Sequence, residues 1–152
     1  MLRDRLKDAL KEAMKAKDEV CLRTLRLILA ALKDRDIAAR PGGNSDGINE
    51  DEILSMLQSM IKQRHDSIEM YKQGGRDDLA AGEAAEVDII TQFLPQQLSE
   101  DEVAAAVVAV ISATGAESIK DMGKVMSALK STYAGQMDFG KAGQIVKATL
   151  AS

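Results

Sequence analysis

Apolar positions at helical spacing run through almost the whole chain. Leu2, Leu6, Leu10 and Met14 recur every four residues, and Ala9 and Ala13 widen the stripe into a helix face. Asp18 is placed to cap a second helix, with Cys21, Leu22, Leu25, Ile28, Leu29 and Leu32 on its apolar side. That helix must stop before Pro41, near Ala39, and residues 41–47 read as a loop. Asn49, followed by Glu52, predicts a capping box for a third helix whose face is Ile53, Met56, Leu57, Met60, Ile61, Arg64, Ile68 and Tyr71. Gly74-Gly75 closes it. A fourth helix starts near Asp77, with Leu79, Val87, Ile90 and Phe93 inward, and Leu94-Pro95 ends it.

Ser99-Glu100-Asp101-Glu102 is a second capping box, with acids across the first turn where the helix dipole favours them. Val103, Val107, Val110 and Ile111 form the stripe behind it, and Gly115 closes that helix. Two short helices follow, 122–132 capped by Asp121 and 139–150 capped by Asp138. The predicted fold class is therefore all-α. It has an N-terminal helical subdomain over 1–95 and a C-terminal three-helix subdomain over 96–152.

Composition agrees with helices. The apolar residues are mostly aliphatic, with eight Met, two Phe, two Tyr and no Trp. No apolar run reaches the roughly 18–20 residues of a membrane span, and the charged N-terminus does not look like a leader, so no membrane is expected and the cytoplasm is the expected compartment. The net charge of −4 hides a gradient: residues 1–40 hold 11 Lys/Arg against 7 Asp/Glu, 41–95 hold 4 against 11, and 96–152 hold 5 against 6. A protein acidic overall can still bind nucleic acid through a local basic face.

The candidate chemistry is sparse. His65 is the only histidine and has no evident orienting partner, and Cys21 lies on an apolar helix face where a thiol acts as a small hydrophobe. The acidic clusters 50–52, 77–78 and 100–102 sit at helix starts, which explains them without a metal. No glycine stretch has phosphate-loop spacing. No catalytic residue, cofactor or metal is expected. Basic positions remain: Arg3, Arg5, Lys7, Lys11 and Lys15 on the first helix, Arg23 and Arg26 on the second, and Lys120, Lys124, Lys130, Lys141 and Lys147 near the end. A solvated face accounts for such residues on composition alone.

Two runs carry more. Residues 93–102, Phe-Leu-Pro-Gln-Gln-Leu-Ser-Glu-Asp-Glu, resemble the LPxQLSEEE hinge of the GatB/YqeY family, and residues 120–130, Lys-Asp-Met-Gly-Lys-Val-Met-Ser-Ala-Leu-Lys, resemble its DMGKVMGxLK motif. Gly75 to Leu79 also looks like the family segment that precedes the hinge, and the resemblance spans residues 2–150. Ser127 departs from it, standing where the motif commonly has a second glycine. The resemblance implies two all-helical subdomains joined by a long helix. It also implies kinship with the tail of the B subunit of the glutamine-dependent tRNA amidotransferase, a tail that helps recognise tRNA and lacks the catalytic domain. Carried onto this chain, it makes Lys120, Gly123, Lys124 and Lys130 the best RNA-facing positions, with Lys141 and Lys147 beside them. The expected partner is tRNA or a tRNA-associated protein, with no DNA. A helical protein–protein adaptor is the alternative. A carbon–nitrogen ligase with glutamine as amido-N-donor ranks last, since no ATP site or nucleophile is legible.

Overall fold

The computed structural model describes residues 1–151, and among them the chain forms seven α-helices and no strand. These are α1 (Leu2–Ala16), α2 (Glu19–Ala39), α3 (Glu50–Gln73), α4 (Asp77–Thr91), α5 (Glu100–Thr114), α6 (Met122–Thr132) and α7 (Phe139–Ala151), with short 3-10 turns at 40–42 and 119–121. The chain divides into two compact units, residues 1–94 and residues 95 onward. The longest helix, α3, lies within the first unit, and the chain passes to the second through residues 92–99.

Three of the expected caps form as the local chemistry asks, whereas Asp121 makes no side-chain cap to α6, its carboxylate being held by the amides of Glu117 and Ser118 upstream. Asp18 accepts the Cys21 amide at 3.1 Å, and both Asn49–Glu52 and Ser99–Glu102 close as reciprocal boxes. Gly75 and Gly115 take left-handed backbone after α3 and α5, at φ +72° and +68°. Lys17 does the same after α1 at φ 55°, although it is not a glycine.

In the first unit, Leu6, Leu25, Ile28, Ile53, Met56, Leu57 and Ile90 are fully buried. Leu79, expected inside, is 38% exposed, and Ala80 is the buried residue of that turn. Cys21 is half-buried against this core, where loss of water and the nearby Asp18 push its thiol up.

Two polar joints complete the unit. Arg3 Nη1 and Nη2 donate to both carboxylate oxygens of Asp36 at 2.8 and 2.7 Å, and Nη2 also donates to the Ile48 carbonyl at 2.9 Å. Asp36 in turn accepts the Ile48 amide at 2.9 Å. The second joint is Arg64, which donates from Nε to Glu86 at 3.0 Å and from Nη1 to the Met60 carbonyl, with both side chains only 12% exposed. Arg23 approaches the other Glu86 oxygen at 3.6 Å.

The second unit packs α5, α6 and α7 around Val107, Val125, Leu129, Ala142 and Val146, with Met137 entering from the α6–α7 loop. Gly143 lies where α7 meets α6, and a Cβ built there would make ordinary van der Waals contact, at 3.7 Å, with the methyls of both Met122 and Met126.

Two stability predictions follow from the joints. The Arg3 guanidinium, with help from the Ile48 amide, holds the Asp36 carboxyl near 2 against an ordinary 3.8. A carboxyl depressed by folding contributes stability that is full above its unfolded value and lost as pH falls from about 4 toward 2. Asp36→Ala should cost about 2 kcal/mol at pH 7, lower hydrogen-exchange protection in α1, and flatten the acid limb of urea midpoints measured from pH 5 to pH 2. Glu86→Ala strands a buried guanidinium and should cost about 3 kcal/mol by chemical denaturation, whereas the apolar pair Arg64→Met with Glu86→Leu should recover most of that loss.

Candidate nucleic-acid interface

The two motif runs fold into the second unit, and most of their residues have a structural role. Gln97 Nε2 donates to the carbonyls of Pro95 at 2.9 Å and Gly135 at 2.6 Å, and the Leu98 amide donates to Gln136. The hinge is thereby stitched to the α6–α7 loop. Ser99 and Glu102 cap α5. In the second run, Asp121 turns its carboxylate back to the amides of Glu117 and Ser118 at 2.9 and 3.3 Å. These bonds, with a smaller contribution from Lys124, hold its carboxyl below the usual range. Met122 and Met126 meet Gly143, and Val125 and Leu129 are fully buried.

Lys120, Gly123, Lys124, Ser127 and Lys130 are left over, and all are exposed. Nothing lies within 4 Å of a Cβ built at Gly123, so tight helix packing does not require a glycine there. Lys141 and Lys147 on α7 are exposed too. Among the described residues, no ion pair within 4.0 Å involves any of these five lysines. Helices α6 and α7 carry four lysines and no acid. The acids nearest them in sequence, Asp121 and Asp138, direct their carboxylates to backbone amides, Asp138 to those of Gly140 and Lys141.

The lysines do not share one line. At 100° per residue, Lys124 and Lys130 stand about 120° apart around α6, on opposite flanks of the buried Val125–Leu129 face. Lys141 and Lys147 are separated in the same way on α7.

Three arginines of the first unit are taken up by internal partners, whereas Lys7, Lys11, Lys15, Arg23 and Arg26 are exposed. Arg3 is taken up by Asp36. Arg5 donates to the Gln92 carbonyl at 3.2 Å and lies 5.6 Å from the Phe93 ring centre, and Arg64 holds Glu86. Arg64 was legible as an interruption of the α3 stripe, but its partner Glu86 gave no signal beyond an acid in an apolar helix. His65 is exposed, and no group of three or more metal-ligating side chains forms among the described residues. A groove of about 290 Å³ between α2 and α3, lined by Arg35, Ile48, Glu52 and Ser55, brings together no catalytic set.

A family model described as Yqey-like protein matches residues 3–150. The chain belongs to the YqeY-like protein family. It is similar to altered inheritance of mitochondria protein 41, mitochondrial, of Saccharomyces cerevisiae strain S288c, with 41% identity over 91 residues, 60% of this chain and 47% of that protein. The protein of the same name in Lachancea thermotolerans is 36% identical over 104 residues, 67% of this chain and 54% of its own length. The chain thus spans about half the length of the curated relatives it matches. The expectation of a cytoplasmic location does not stand, because these relatives are named as mitochondrial. It rested on a charged N-terminus and the lack of an apolar span, neither of which separates the cytoplasm from the aqueous interior of an organelle.

The open space at Gly123 gives a direct probe. Gly123→Ala should raise thermal stability by about 0.5 kcal/mol through helix propensity. If Gly123 admits a close backbone approach by a ligand, the same change should weaken binding despite the stabler fold, as a melt and a titration on one sample would read.

Proposed function

We propose that this chain is a non-catalytic helical module that binds tRNA through the lysine-bearing α6–α7 side of its C-terminal unit. One observation carries the reading. Gly123, Lys124 and Lys130 match the family motif, yet they neither pack nor cap, and none makes an ion pair within 4.0 Å among the described residues, Lys124 having only a minor charge interaction with Asp121. Motif residues without a structural role point to a ligand, and exposed lysines outside any close ion pair suit phosphate. The remaining motif residues build the scaffold that holds them. The net acidity of the chain does not oppose this, because five of the second unit's six acids lie at the α5 start or turn their carboxylates to backbone amides, Glu117 being the exception.

A protein–protein adaptor remains the second reading, favoured by the acidic middle segment, where residues 41–95 hold 4 Lys/Arg against 11 Asp/Glu. The test is fluorescence anisotropy with bulk tRNA across a salt series, comparing the chain with a variant in which Lys120, Lys124 and Lys130 are all Ala. Binding should weaken linearly with log salt, and the variant should lose about tenfold or more at low salt. No binding by the parent chain at low salt would discard the tRNA reading and leave the adaptor.

A further inference from the structure

We infer that the C-terminal unit grips the phosphate backbone of base-paired RNA and does not read unpaired bases. This rests on the RNA-binding reading above and narrows it to a class of target. The first reason is the kind of cation. Residues 96–152 contain five Lys and no Arg. Lysine presents a compact point charge, whereas reading a guanine edge favours the planar two-pronged guanidinium. The second is the lack of a stacking surface. Single-stranded RNA is held largely by bases laid on exposed aromatic rings or guanidinium planes. The unit has only Tyr133 and Phe139, both partly buried and packed on its own core, and the chain has no Trp.

The third reason is placement. Met126 and Gly143 mark where α6 and α7 touch. On each helix the core residues, Val125 with Leu129 and Ala142 with Val146, lie to one side of that contact. Lys130 lies about 40° past Met126 on the other side, and Lys147 about 40° past Gly143. Both therefore flank the outward seam of the helix pair. Cations anchored on two packed helices have a spacing that the fold sets, which suits the regular phosphate array of a duplex. Neither helix brings a carboxylate to oppose it.

The test compares an RNA hairpin with an unstructured RNA strand of equal length, titrated across a salt series against the full chain and against Lys130→Gln with Lys147→Gln. Both lysines are exposed, so the variant should keep its circular dichroism and melting temperature. The hairpin should bind about tenfold tighter than the single strand, and the double variant should reduce the log–log salt slope by about two. Equal or tighter binding of the single strand, or an unchanged slope in the variant, overturns this inference while leaving RNA binding in place. Failure of both RNAs to bind at low salt overturns the RNA-binding reading and this inference with it.

Discussion

The guanidinium of Arg3 meets both oxygens of Asp36 and the carbonyl of Ile48, so one side chain joins α1, α2 and the loop that leads into α3. The loop has little room to vary around it. Gly47 sits at φ +96°, and a Cβ there would come within 2.6 Å of Arg3 Nη2 and 2.8 Å of Asp36. Asn44 brackets the turn, accepting the amides of Asp46 and Gly47 and donating to the Gly47 carbonyl. A core of mostly Leu, Ile and Met, with Phe93 its one buried ring, offers little directional contact, and polar joints of defined geometry fix the helix ends.

The Arg64–Glu86 pair extends this arrangement to α3 and α4, with Arg23 of α2 close to the same carboxylate. Such a pair is weak support for stability, since removing two charges from water offsets much of their attraction. Three arginines of the first unit, Arg3, Arg5 and Arg64, are committed to internal partners, whereas among the described residues no ion pair involves the five lysines of the second. The first segment still carries exposed cations outside these joints, among them Lys7, Lys11, Arg26 and Lys33, so its positive charge is only partly taken up inside the fold.

Much of the proposed interface was legible in the sequence. The motif Asp121 to Lys130 identified the segment, and a 3.6-residue period already separates Val125 and Leu129 from Lys124 and Lys130. Two things were not legible. Whether Gly123 served packing or openness depended on what lies opposite it, and that proved to be empty space. Which lysines can act together depended on where α7 meets α6, a contact between residues about twenty positions apart that no local pattern encodes.

Local chemistry determined the helices of this protein. Periodicity, the Asp18, Asn49 and Ser99 caps, and the stops at Pro41, Gly75 and Gly115 are short-range effects that a linear reading captures. Tertiary structure decided which charges became joints. Arg3 finds Asp36 across 33 residues and Arg64 finds Glu86 across 22, and an arginine on a polar helix face looks the same before its partner arrives. Side-chain pairing over such distances is set by how helices pack, and packing is a property of the assembled core.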